Sequence, residues 1–75
     1  MNNELIDSLI PILEKACLHS LSVTISRTDK NNIQIIDYGF SCQTIDNISI
    51  IAKNNNLLFF VMGVNNKIHL VIFQP

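Results

Sequence analysis

The sequence predicts a two-layer α+β domain in which two helices cover one side of a four-stranded antiparallel sheet. Three observations carry that expectation. Apolar residues near the N terminus recur at spacings of three, four and seven; a strict two-residue alternation follows; and the C-terminal stretch LLFFVMGVNNKIHLVIF is apolar at nearly every position around an Asn-Asn pair. The element order is helix, hairpin, helix, hairpin, and two helices most economically cover one side of such a sheet.

Over residues 4–18, Leu5, Leu9 and Leu13 together with Ile6, Ile10 and Cys17 form one face of an amphipathic helix. Pro11 interrupts it. Either the regular helix starts near Asp7 or Ser8, leaving Pro11 in a first turn where its missing N–H is harmless, or the helix kinks there. The segment LSVTISRT then alternates, with Leu21, Val23 and Ile25 on one side and Ser22, Thr24 and Ser26 on the other, as in a strand with one wet face. The turn DKNN leads into IQIIDY, its antiparallel partner. After GFS, either Ser41 or Thr44 caps a second helix whose buried stripe is Ile45, Ile48, Ile51 and Ala52, ending at the asparagines 54 to 56.

Asn65 and Asn66, between two β-rich runs, fit a two-residue turn with both residues at positive φ, which asparagine tolerates better than most. That turn sets a register: Val64 opposite Lys67, Met62 opposite His69, Phe60 opposite Val71 and Leu58 opposite Phe73. The core face of the hairpin then holds Leu57, Phe59, Val61, Gly63, Ile68, Leu70 and Ile72, without one polar side chain. The outer face, with Leu58, Phe60, Met62, His69, Val71 and Phe73, is surplus to the core and is the expected protein interface.

This order is a circular permutation of the ferredoxin-like βαββαβ arrangement, which places the strands third, fourth, second, first. The third strand becomes an edge. An apolar edge beside an apolar outer face invites pairing with another chain, and a second copy in a closed two-fold dimer would bury both.

Residues 1–75 read as one domain, near the size at which a single core only just offsets chain entropy. Thirteen isoleucines within a 48% apolar content supply more burying material than a disordered chain holds, and the 15% charged content leaves an under-charged surface. A net charge of −1, from charges scattered singly, offers no electrostatic footprint to a phosphate backbone or an anionic membrane, so nucleic acid is not an expected partner. No apolar run reaches the length of a membrane span, and Glu4 and Asp7 interrupt the start where a signal peptide would be positive and then apolar. A soluble chain is expected. Opening directly into a helix and ending inside a strand, it also reads as a domain of a longer, membrane-anchored protein, with any membrane attachment in segments outside it.

A leading helix, a short strand, the passage IIDYGFSCQTIDNI from strand through an aromatic into the second helix, and a terminal hairpin carry a resemblance. In element order and spacing the chain resembles the C-terminal ferredoxin-like domains of the inner-membrane assembly-platform proteins of type II secretion and type IV pilus systems. The resemblance spans the whole chain and rests on hydrophobic pattern, with no signature motif. Two cysteines, and the lack of a glycine at the start of the first strand, depart from it. It implies a periplasmic, non-catalytic domain that dimerises and contacts sister platform proteins; outside it, the expected compartment is the cytoplasm. The order is also similar to the front part of Roadblock-type dimerising adaptors, which add a strand and a final helix. A small inhibitor or immunity-type protein using the same outer face is the rival expectation.

Chemistry has few candidates. A thiol-based site would draw on Cys17, Cys42, His19, His69, Asp37 and Asp46. Cys17 and His19, two apart on a helix, stand about 200° apart around its axis and point away from each other. Cys42 meets His69 only if helix and strand ends converge, and no glycine-rich or oxyanion-type loop accompanies them. No catalytic residue, cofactor or metal is therefore expected, a small thiol enzyme using Cys42 being the rival. For the cysteines themselves two readings stand. A Cys17–Cys42 disulfide in an oxidising compartment would contribute about 3.5 kcal/mol in the chain-entropy model; otherwise both are small buried hydrophobes. Phe59 and Phe60 invite comparison with the stacking aromatics of RNA-binding sheets, but no arginine or lysine flanks them.

Overall fold

The computed structural model of the protein describes residues 3–17, 21–29 and 31–75. Six elements follow the expected order: α1 (Asn3–Ala16), β1 (Thr24–Asp29), β2 (Asn32–Asp37), α2 (Cys42–Asn54), β3 (Leu58–Val64) and β4 (Lys67–Phe73). The strands form one antiparallel sheet in the order β1-β2-β4-β3, the permuted ferredoxin-like arrangement, with β1 and β3 as its edges.

Local chemistry sets most of the boundaries. α2 starts after Ser41, whose side chain accepts a hydrogen bond from the Thr44 N–H at 3.1 Å. At its other end Asn56 turns left-handed at φ 58°, its N–H donating to the Lys53 carbonyl at 3.1 Å while the Leu57 N–H donates to the Ala52 carbonyl at 2.9 Å. These are the two bonds of a Schellman motif, and the buried Leu57 and Ala52 occupy the positions of its apolar contact.

α1 begins at Asn3, not near Asp7 or Ser8, and runs through Pro11. Proline inside a helix leaves the carbonyl four residues back, that of Asp7, without its donor and costs roughly 3 kcal/mol. Packing outweighs that cost. Ile6, Leu9 and Leu13 are buried on the same helix, and each such side chain contributes about 1.5–3 kcal/mol.

β1 starts at Thr24, three residues later than the alternation predicts, and Leu21 is fully exposed before it. Thr24 already stands opposite Ile36, and β2 ends at the next residue, so the earlier positions have almost no ladder left to join. Toward the turn, Arg27 and Thr28 together face the single residue Ile33, a β-bulge. At the other hairpin Asn65 and Asn66 adopt φ values of 53° and 65°, and the four predicted cross-strand pairs form.

The core lies between the helices and the two middle strands. Ile33 stands opposite Ile72 and Ile35 opposite Leu70, and Ile6, Leu9, Leu13, Cys17, Ile48 and Ala52 close over them. The expected core face of β3 is corrected here. Phe59 is half-buried against the cluster, but Val61 is 50% exposed and Gly63 is exposed. An edge strand has a neighbour on one side only, so side chains on both of its faces lose half their flanking cover.

The turn geometry makes a direct prediction. Asn66→Val, which puts a β-branched side chain at positive φ, should lower the unfolding free energy by about 1–2 kcal/mol, while Asn66→Gly should keep it, as read by denaturant titration of both variants.

Candidate protein-interaction surface

The register lays out the outer face of the sheet in rows. Thr24, Ile36, His69 and Met62 form one; Ser26, Gln34, Val71 and Phe60 the next; Asn32, Phe73 and Leu58 the third. Every row passes from a polar residue to an apolar one on β3. Of the six residues expected at an interface, Leu58, Phe60 and Met62 are exposed, while His69 and Phe73 are half-buried. Val71 is corrected out of the accessible surface, being 3% exposed. It is a short side chain on an inner strand, flanked in its row by the longer Gln34 and Phe60.

Polar contacts tie down the rest of that face. His69 Nδ1 lies 2.9 Å from Gln34 Oε1, a contact in which the ring N–H donates to the amide oxygen. Near the turn, the Lys67 ammonium stands 5.2 Å from the centroid of the Tyr38 ring, within cation–π range. Within the four strands the exposed large apolar side chains all lie on β3, while Ile12, Leu21, Tyr38 and Ile50 are exposed singly elsewhere.

The two sheet edges differ in kind. β1 has six residues, carries the bulge, and includes Arg27 and Asp29; the Arg27 guanidinium is ion-paired with Asp7 of α1. Bulges, charge and short length are the ordinary means of keeping an edge from pairing with another chain. β3 has seven residues in unbroken register, none of them charged, and exposes Leu58, Phe60, Val61, Met62 and Val64. Val61 and Gly63 read as core from the pattern, whereas Val64, opposite Lys67 on the outer face, was left out only of the expected interface. Strand order held the signal for Val61, since it already placed β3 at an edge, and a glycine inside a strand was the signal for Gly63.

The thiol candidates do not converge. Cys17 and Cys42 are both free, the first buried at the end of α1 and the second exposed in the first turn of α2, so no disulfide joins them and only Cys17 is a buried hydrophobe. Cys42 and His69 lie on opposite sides of the sheet, because α2 packs on the inner face and His69 belongs to an outer row. Asp46 is exposed on α2, and His19 lies outside the described residues.

Asp37 is the buried acid among the described side chains, 6% exposed at the end of β2. Its Oδ1 accepts from Ser22 Oγ at 2.6 Å and from the Tyr38 N–H at 2.7 Å. Together with Cys17, Phe40 and Thr44 it lines an open pocket of about 250 Å³. Burial first, and the Asp37 carboxylate second, push the Cys17 thiol above its ordinary range, which keeps it protonated and unreactive. Among the described residues no three His, Cys, Asp or Glu side chains come close enough to hold a metal ion. Compared with known proteins, the chain matches no protein-family model, no curated protein and no solved structure.

The two thiols should separate cleanly in a thiol titration. The native protein should present one fast-reacting thiol, which Cys42→Ser abolishes, and the second should appear only when denaturant opens the core around Cys17.

Proposed function

We propose that this chain is a non-catalytic protein-interaction module that docks through β3, using both the edge of that strand and its apolar outer face. One observation carries the reading: of two sheet edges, one is bulged and charged, and the other is straight, uncharged and apolar on both sides. A contiguous apolar strand left open in a small domain marks a protein contact. The composition supports a protein partner over a nucleic acid, since five basic residues are spread singly along the chain. A second copy is the first candidate, and the assembly-platform resemblance supplies a setting in which such a domain dimerises beside a membrane held by other segments. An inhibitor-type protein would use the same strand on a different partner.

Mass in solution across a dilution series tests the reading, by light scattering or sedimentation. The natural chain should associate as concentration rises, and Phe60→Glu should remain monomeric, its unfolding transition matching that of the natural chain at a dilution where both are monomers. Phe59→Glu should instead lower the unfolding free energy by roughly 2–3 kcal/mol, because its ring packs against the core. Equal effects of the two substitutions on folding would overturn the assignment of faces. A natural chain that stays monomeric at every concentration would move the reading to a different protein as partner.

A further inference from the structure

Resting on that reading, we infer that two copies join β3 to β3 in antiparallel register centred on Val61, making one eight-stranded sheet from two four-stranded ones. The backbone comes first. The two-residue turn at Asn65 and Asn66 links the Val64 carbonyl to the Lys67 N–H, and bonding alternates along an antiparallel pair. Leu58, Phe60, Met62 and Val64 therefore direct their N–H and C=O groups toward β4. Phe59, Val61 and Gly63 direct theirs outward, where β3 ends the sheet and, among the described residues, no turn or loop backbone bond reaches them.

A two-fold axis at Val61 pairs all three outward residues of each copy with the three of the other. Val61 meets the partner's Val61, and Phe59 meets the partner's Gly63. A slip by two residues in either direction leaves one of the three without a strand residue opposite it. Every antiparallel pairing of two identical strands is two-fold symmetric, and the one that satisfies the most backbone groups is the one centred on Val61.

Side chains point to the same register. Gly63 is not needed by its own chain: its φ is not positive, and a Cβ built there would meet nothing within 4 Å. Glycine weakens a strand and often marks the close approach of another group. In this pairing the partner's Phe59 ring lies beside the bare backbone of Gly63, the large-against-glycine match that stabilises cross-strand pairs. On the outer face Phe60 lies opposite the partner's Met62, a sulfur–aromatic pair, and Leu58 opposite the partner's Val64. No charged residue lies on β3, so the axis brings no like charges together. The exposed side chains of β3 amount to roughly 400–500 Å² per copy, so the pair removes at most about 800–1,000 Å² from water, the size of a weak or transient interface. A weak dimer that dissociates on dilution is expected.

Single cysteines test the register. In a Cys42→Ser background, which leaves only the buried Cys17, Val61→Cys, Leu58→Cys and Val64→Cys are oxidised mildly at a concentration where the parent associates. Cα atoms at the axis would lie about 5.5 Å apart, within disulfide reach, whereas Leu58 and its own copy would be separated by about 20 Å along the strands. Val61→Cys should cross-link at least tenfold faster than the other two. Val61→Lys in the natural chain should abolish association and, at a dilution where the parent is also monomeric, leave the unfolding midpoint unchanged, since that side chain is already half exposed. Equal cross-linking rates in a protein that still dimerises, or a Val61→Lys protein that dimerises normally, would overturn this pairing and leave the interaction module standing. A parent that is monomeric at all concentrations would overturn pairing with a second copy altogether.

Discussion

Two asparagines held at positive φ, Asn65 and Asn66, fix β4 against β3, and the rest of the structure depends on that register. Side chains alternate along a strand, so a slip of one residue would send Ile68, Leu70 and Ile72 to solvent and bring Lys67, His69 and Val71 against the helices. With the register set, β4 offers Ile72 and Leu70 to Ile33 and Ile35 of β2, and this double row is the floor on which α1 and α2 pack. The same two residues decide which backbone groups of β3 turn inward and which turn out. Core and free edge are consequences of one turn.

The sheet treats its two edges by different physics. At β1 an extra residue bulges the strand opposite Ile33, and Arg27 is drawn toward Asp7 of the first helix. Both features spoil the regular row of donors and acceptors that another strand would need. At β3 nothing of the kind intervenes, and apolar side chains stand on both faces of an unbroken ladder. The outer face follows the same gradient, from Thr24 and Ser26 at one edge to Met62 and Phe60 at the other, with the His69–Gln34 and Lys67–Tyr38 contacts between.

Elements with strong local signals were legible in the sequence. The Asn-Asn turn, its register, a cap at Ser41 or Thr44, of which Ser41 forms, and the stripe of Ile45, Ile48, Ile51 and Ala52 in α2 each rest on chemistry within a few residues, and strand order followed from the permuted arrangement. What misled was chemistry decided at a distance. Of the two readings that Pro11 leaves open, a late helix start or a kink, the late start fails because a proline's local cost is visible and the burial of Ile6, Leu9 and Leu13 around it is not. β1 is shorter than its alternation suggests because the alternation persists where the partner strand has already ended. Val61 and Val71 exchanged expected exposures for one reason: parity tells which face a side chain takes, and the number of flanking strands tells how much of it is covered. Cys42 illustrates the same limit, a residue on a helix whose exposure depends on what lies beyond its first turn.

The division between core and edge bears on how assembly could stop at two. The buried side chains belong to α1, α2, β2 and β4, with Leu57 at the entry to β3, and β3 itself supplies only the half-buried Phe59. Its remaining side chains are free to serve a contact without loss of the fold. An edge of that kind, left open, would ordinarily be a template for unlimited strand addition, the hazard that bulges and charges exist to prevent. A sheet joined at β3 has no such template left. Both straight edges are consumed at the two-fold axis, and the strands exposed at its ends are the two copies of β1, bulged and bearing Arg27 and Asp29. Blunting one edge and leaving the other bare is what a closed pair requires, because an isologous contact uses the same surface once on each partner.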